Sequence, residues 1–460
     1  MISVEAVVVG RNDEYEPNWE RNLFLSLAYN REQFARKGVD YRVAFVDWNS
    51  LPDRPPLAPR LVAALPFVRG IIVEPDVHTA ICRSPQLSMV LTTAFNAGFR
   101  TTSADYSMGT CGDIFVGTSV VDRIASGLTA SRYYRAERVS IRNDLPFESA
   151  DPEMIEAPGN VTSVDSLTEP PYNKPPHTNA SGDFSMMDTG TMYGVRGYDE
   201  SINFARMHID SRLGWTALSA CDGCEILGRI FHISHEHSHS TDRTRKVPGR
   251  IYNYMAGLPY LNPENWGLGD FDWRRIADRL YSVHVPNGHA NPPPDNLDPA
   301  VRERAKNVTQ KLRDIRSAMQ PDEPAGSTRI ERNLFNSGLD VSPPARATAT
   351  AGVINLDTGP QPWAVTCRLR YEPPVFDKQR YYWIKLEMTV DRGAVNVCLA
   401  SDVSTYQCER FATSEDGSTR VFLPVNGAES RFVFLRNAIE NGDSSFASLY
   451  SAHLISQPKQ

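Results

Sequence analysis

The chain has 460 residues, of which 41% are apolar and 22% charged, and a net charge of -7. That composition excludes a disordered chain, and a negative balance without a long basic run excludes a general nucleic-acid binder. The length predicts two or three domains. Val4 to Val9 is a β-branched run closed by Gly10, which predicts a buried parallel strand. Arg11-Asn12-Asp13 then stands at its carboxyl end, where open α/β sheets place ligands. Trp19 to Arg36 carries Leu23, Leu27 and Phe34 at near-helical spacing. Tyr41 to Val46 predicts a second strand, with Asp47 after it, and 57–64 a short helix. Val68 to Val73 predicts a third strand, Gln86 to Thr101 a helix, and Asp105 to Thr110 a short strand ending at Cys111-Gly112-Asp113. This rhythm predicts a doubly wound, Rossmann-like α/β domain. Asp47 and Asp113 would converge on one crevice, although an Asp after a strand is also a common helix N-cap.

Residues 145–179 are rich in Pro and Glu, lack periodicity, and read as a long mobile loop over the site. The stretch 181–240 follows, holding five of the ten histidines and several acids, a clustering that marks a candidate site. Tyr252 to Trp273 is aromatic and turn-rich. Pro299 to Met319 predicts a charged surface helix with little apolar face. From about 345, short alternating runs such as VINLD, YYWIKLEMTV and TRVFLPV predict an all-β sandwich. The expected domains are therefore 1–250, a linker or helical extension at 251–340, and an accessory, carbohydrate-binding-type sandwich at 341–460.

Seven cysteines over this length read as reduced thiols rather than a disulfide framework. Cys221-Asp-Gly-Cys224 lacks a second CxxC and reads as chance spacing. The first residues carry no basic leader, and no apolar run approaches about eighteen residues. A cytoplasmic protein without an integral membrane segment is expected.

The first 240 residues resemble a GT-A glycosyltransferase of the family-2-like group. Val7-Val8-Val9-Gly10-Arg11-Asn12-Asp13 resembles the first strand and nucleotide turn of that family, and Val46-Asp47-Trp48-Asn49-Ser50 its second-strand Asp. Asn96-Ala-Gly98-Phe-Arg100 with Asp105-Tyr106 resembles the approach to the metal strand. Cys111-Gly112-Asp113 stands where the family has D-x-D, with Cys111 replacing the first acid. Gly182-Asp183-Phe184, Gly197-Tyr198-Asp199-Glu200 and His208-Ile-Asp210 resemble the acceptor motifs, and Phe231-His232-Ile-Ser-His235 the closing metal-histidine segment.

The resemblance implies transfer of a sugar from a nucleoside diphosphate, a UDP- or GDP-sugar, to a glycan or other hydroxyl acceptor, with inversion, in polysaccharide or glycoconjugate synthesis. It implies Asp210 as the general base, with Glu200 second. Asp47, Arg11, Asp13 and Arg100 would hold the nucleotide and its phosphates. Asp113 with His235 or His232 would hold Mn²⁺ or Mg²⁺, and Asp183, Asp199 and His208 would meet the acceptor. A homodimer is compatible with this reading. Each residue also has a plainer one: Asp210 opens a helix, and Asp183, Asp199 and Glu200 are ordinary turn residues. Two other classes compete. One is a sugar-binding protein without catalysis, which Cys111 favours. The other is a zinc peptidase, because His235-Glu-His-Ser-His239 fits H-E-x-x-H; that chemistry needs a helix, and the run follows a strand-like segment.

Overall fold

The computed structural model describes residues 1–13, 18–85, 87–169, 177, 182–203, 209–235, 259–319, 328–337, 339–350, 352–360, 365–371, 380–400, 406–414, 416–425, 431–438 and 444–458. The chain divides into two compact units, one of Met1–Ile251 with Pro259–Arg313, the other of Tyr252–Leu258 with Asp314–Gln460. No helix among the described residues is long and apolar enough to cross a membrane.

In the first unit the elements run β1 (Ser3–Gly10), α1 (Trp19–Arg36), β2 (Asp40–Trp48), α2 (Ala58–Ala64), β3 (Val68–Val73), α3 (Pro75–Ile81), α4 (Leu91–Arg100), β4 (Tyr106–Thr110), β5 (Ile114–Val116) and α5 (Thr118–Ala125). There follow β6 (Tyr133–Ile141), α6 (Pro152–Ile155), β7 (Val161–Asp165), β8 (Phe184–Asp188), α7 (Thr189–Val195), α8 (Ile209–Ala220), β9 (Cys224–Ile233), β10 (Asp272–Ala277), β11 (Leu280–His284) and α9 (Pro299–Met319), which belongs to this unit as far as Arg313. One sheet has the order β10-β11-β3-β2-β1-β4-β8-β6-β9-β5, with β7 beside β6. The run β11-β3-β2-β1-β4 is parallel, and β8 lies antiparallel to β4.

The sequence explains the central strands. Val4, Val7 and Val8 of β1 are fully buried, as expected where helices cover both faces of a parallel sheet. Helix α4 packs so closely on β1 that a Cβ at Gly98 would come within 2.3 Å of Val7, so only glycine fits there. Burying each such valine contributes about 1.5–3 kcal/mol.

Two expectations for this region change. Residues 259–313 are part of the first unit rather than a linker, because β11 extends the parallel sheet from β3. Helix α9 also has more apolar face than its composition suggests. Leu312 is fully buried, Val308 packs on the same core, and Thr309 Oγ1 donates to the Gly194 carbonyl at 2.8 Å. The 145–179 stretch carries α6 and β7, the latter paired with β6 through Val139↔Val164.

The second unit is a two-sheet antiparallel sandwich. One sheet has β12 (Arg329–Asn333), β14 (Arg346–Thr350), β15 (Val353–Asp357), β17 (Arg380–Arg392), β20 (Ser418–Pro424) and β22 (Phe446–Pro458). The other has β13 (Leu339–Val341), β16 (Val365–Arg370), β18 (Ala394–Ala400), β19 (Tyr406–Thr413) and β21 (Phe432–Asn437). Ile384, Leu386 and Met388 of the first sheet share a core with Val397, Leu399 and Leu435 of the second. Alternation at period two puts every second residue inside, which is the pattern visible in YYWIKLEMTV.

Candidate functional site

Strand β1 lies between β2 and β4, so the order of the parallel strands reverses at β1, and open α/β sheets bind ligands beyond the carboxyl ends of such strands. The turn Cys111-Gly112-Asp113 follows β4 there. Helix α1 holds it. Ser26 Oγ donates to the Gly112 carbonyl at 2.5 Å, Asn30 Nδ2 to the Ile114 carbonyl at 2.8 Å, and the Val116 amide to Asn30 Oδ1 at 2.8 Å. Each buried bond contributes on the order of 1 kcal/mol net.

Antiparallel pairing of β5 with β9 sets Ile114 opposite His232. Asp113 Oδ2 is then 3.1 Å from His232 Nε2 and 3.3 Å from His235 Nε2, and the two Nε2 atoms are 3.1 Å apart. Burial alone would raise the Asp113 carboxyl, but His232, by charge and hydrogen bond, and His235 outweigh it. They hold it far below the usual carboxylate range. The carboxylate is therefore ionised. His232 is buried, and its Nδ1 has no hydrogen-bond partner among the described residues, so its polar contacts lie on the Nε2 side.

This triangle fits a divalent ion. Ligand atoms on one ion with bonds of about 2.1 Å stand about 3.0 Å apart in octahedral geometry and about 3.4 Å apart in tetrahedral geometry. The three edges fall between those values. One carboxylate and two imidazoles suit Mn²⁺ or Zn²⁺, whereas Mg²⁺ prefers an all-oxygen set.

Beside the triangle lies a second group. Cys111 Sγ donates to Asp183 Oδ1 at 3.4 Å, and Arg138 Nη1 donates to Asp183 Oδ2 at 2.9 Å. Burial pushes the Cys111 thiol well up, and the nearby Asp183 adds to it, so it is a neutral thiol here. Gly182 packs against Asp210, and a Cβ on it would lie 2.5 Å from the Asp210 Cβ and 2.7 Å from Oδ2. Asp210 stands in the first turn of α8. Its carboxyl is pushed up to about 6 by burial, opposed by the Arg135 charge and by backbone amides at 210 and 211. The helix-terminus reading and the site reading of Asp210 thus describe one and the same arrangement.

The remaining expected residues lie elsewhere or play other parts. Asp47 is fully buried; its Oδ2 accepts from the Ala58 amide at 2.8 Å and its Oδ1 from Ser50 Oγ at 3.0 Å. It caps α2 from outside the helix. Arg100 Nη1 donates to the carbonyls of Glu264 at 3.0 Å and Trp266 at 2.5 Å, and its guanidinium lies over the Trp266 ring. It ties down a turn.

Glu200 accepts from Asn96 Nδ2 at 3.0 Å and from the Gly267 amide at 2.8 Å, and burial raises its carboxyl to about 7. Asp199 pairs with Arg212 at 2.6 Å. Glu200 thus ties its turn to α4 and to Gly267, and Asp199 ties the same turn to Arg212 of α8. Arg11 and Asp13 line a groove of about 1050 Å³ with Trp19, Arg54 and Arg60. Arg11 Nε is buried without a hydrogen-bond partner among the described residues. Burial lowers this guanidinium and Asp13 partly restores it. His208 and residues 236–239 lie outside the described residues. His235 itself follows a strand and joins Asp113 and His232.

Two arginines of β6 were not anticipated. Arg135 is fully buried, with Nη1 donating to Tyr133 Oη at 3.3 Å, and Arg138 holds Asp183. Their signal was present as YYRAERVSI, since a buried strand rarely carries two guanidinium groups unless carboxylates await them.

No protein-family model matches the chain, and no curated protein matches it. Among solved structures it is similar to S. aureus TarS 1-349, with 10% identity over 50% of this chain and 60% of that one, at a TM-score of 0.33. The chain thus spans less than two thirds of that structure. The catalytic domain of Drosophila beta1,4galactosyltransferase 7, in complex with xylobiose, matches at 10% identity over 62% of this chain and 95% of that one, TM-score 0.30. A family 29 carbohydrate binding module with cellulohexaose matches at 15% identity over 29% and 92%, TM-score 0.22.

Proposed function

We propose that the first unit is a glycosyltransferase that moves a sugar from a nucleoside diphosphate to a hydroxyl acceptor with inversion. The observation that carries this reading is the placement, at the sheet's crossover, of the Asp113–His232–His235 triangle beside Asp210, linked through Cys111, Asp183 and Gly182. Asp113, His232 and His235 would hold a divalent cation, which supplies neutralisation of the charge building on a leaving diphosphate. The unpartnered Arg11 Nε suits the anionic end of such a donor.

Asp210 accepts the proton of the acceptor hydroxyl as that oxygen bonds the anomeric carbon. The bond from that carbon to the diphosphate oxygen breaks, and its electron pair leaves with the diphosphate. A carboxyl titrating near 6 is ionised at neutral pH yet more basic than a solvent-exposed aspartate, which favours proton transfer. Arg138 fixes Asp183, and the adjoining Gly182 packs against Asp210.

The test is a panel of UDP- and GDP-sugars offered to the full chain with Mn²⁺, reading both thermal stabilisation and nucleoside diphosphate release. Stabilisation by one nucleotide sugar and release of its diphosphate support the reading; no response to any donor overturns it. The similarity of part of the chain to glycosyltransferase structures agrees with this reading without carrying it.

A further inference from the structure

The outer face of the sheet formed by β17, β20 and β22 has a composition that the first unit does not explain. Ile384, Leu386 and Met388 of β17 point into the core, so Lys385, Glu387 and Thr389 point outward. Cross-strand register sets Ser451, Glu387 and Arg420 in one row, and His453, Lys385 and Phe422 in the next. Glu387 is the hub. Its Oε1 meets Lys385 Nζ at 2.9 Å and Arg420 Nε at 3.4 Å, and its Oε2 accepts from Ser451 Oγ at 3.2 Å.

A β-bulge adds an aromatic ring to this row. The pairing of β17 with β22 shifts register where Met388 faces Leu449 and Glu387 faces Ser451, so Tyr450 is the extra residue. A bulge re-aims a side chain, and Tyr450 is left 45% exposed beside the Glu387 row. Further along, Ser448 Oγ donates to Asp391 Oδ2 at 3.3 Å. Lys385, Arg420 and Arg392, the last over the Phe446 ring at 4.5 Å, stand against Glu387 and Asp391, so the strip mixes both signs and is close to neutral.

We propose that this strip binds a neutral glycan chain, with Tyr450 as the platform for a sugar ring and Glu387, Arg420 and Ser451 as the groups that read its hydroxyls. A tyrosine offers a flat apolar face at low entropy cost, and the C–H face of a pyranose is its complement. Mutual pairing holds the charged groups in place, and the Lys385 ammonium and the Glu387 carboxylate offer more donors and acceptors than that pairing uses. A strip this close to neutral exerts little long-range pull on a polyanion or a basic peptide. Tyr450 and Phe446, the two exposed rings of β22, are separated by Ser448 and make no continuous apolar patch of the size a protein partner needs, about 400 Å² or more. The choice of a sugar among neutral ligands rests on the transferase reading.

Electrophoresis of the full chain through gels containing soluble β-glucan, glucomannan or xylan, with heparin as the charged comparison, tests the proposal. EDTA is present and nucleotide sugar is absent, so the first unit's chemistry does not enter. Retardation is expected in at least one neutral polysaccharide, weakened at least 10-fold by Tyr450→Ala, retained by Tyr450→Phe, and weakened by Glu387→Gln, with melting temperatures unchanged. Migration unaffected by every neutral polysaccharide, or equal retardation of wild type and Tyr450→Ala, overturns it, as does retardation by heparin alone. Glycan retardation in a chain that releases no diphosphate from any donor would overturn the transferase reading and leave this strip standing.

Discussion

His232 and Asp113 stand 3.1 Å apart because the short strand β5 pairs antiparallel with β9, placing Ile114 opposite His232. Neither residue's chain neighbours could create that contact. It turns two residues more than a hundred positions apart into two corners of a ligand triangle.

The triangle makes a first prediction. Mn²⁺ or Zn²⁺ should raise the melting temperature by preferential binding to the folded chain, and Mg²⁺ should do so far less at equal concentration. His232→Ala and Asp113→Asn should each remove the shift, because two remaining donors do not hold the ion. A full Mn²⁺ shift in His232→Ala would leave Asp113 and His235 as the site and remove His232 from it.

Asp210 makes the second. Its carboxyl titrates near 6, and only the ionised form accepts a proton, so transfer should rise with pH through about 6 and level off above. Asp210→Asn should lower the rate by ~10² to 10⁴ and flatten that limb. Thermal stabilisation by the donor should be retained; joint loss of donor binding and rate would count against Asp210 as base.

Gly182 makes the third. A Cβ there lies 2.5 Å from Asp210, closer than packed atoms come, so Gly182→Ala must push α8 or the 182–183 turn aside. The cost should be about 1–3 kcal/mol, read as a lower melting temperature. The rate should fall more than the donor affinity, since the base moves and the donor groove does not. Equal rates in the two proteins would dissociate Gly182 from the position of Asp210.

The fourth concerns Asp47. Burial raises its folded carboxyl to about 6 from the ordinary value of 3.8, so between about 4 and 6 the folded state binds more protons than the unfolded one. Its contribution to stability therefore declines as pH rises through that window. Asp47→Asn should lack this decline, which a comparison of unfolding free energies at pH 4.5 and 7 would reveal. Asp47→Ala should destabilise by about 1 kcal/mol through loss of the α2 cap, with donor binding intact. Loss of donor binding in Asp47→Asn without loss of stability would instead return Asp47 to the nucleotide.

Local chemistry determined much of this protein by itself. The β-branched run of β1, the helical spacing of α1 and the period-two alternation of the last hundred residues express backbone preference and burial over short windows, and they specify element type and domain class. The segments bearing Asp113, Asp183, Asp210 and His235 were legible because several polar groups in short turns after apolar runs seldom serve packing alone. Tertiary structure decided which of those groups meet. Asp47 and Arg100 stand in motif-like settings; Asp47 is engaged by the start of α2 only 11 residues on, whereas Arg100 meets a turn 164 residues away, about 550 Å of extended chain, a pairing no local window records. Arg135 and Arg138 acquire meaning only when β6 lies beside β8 and β9, and β11 joins the first sheet only because its edge finds β3. Hydrogen-bond pairing between distant strands and the satisfaction of buried charge are properties of the closed fold, so they appear only once the chain has closed on itself.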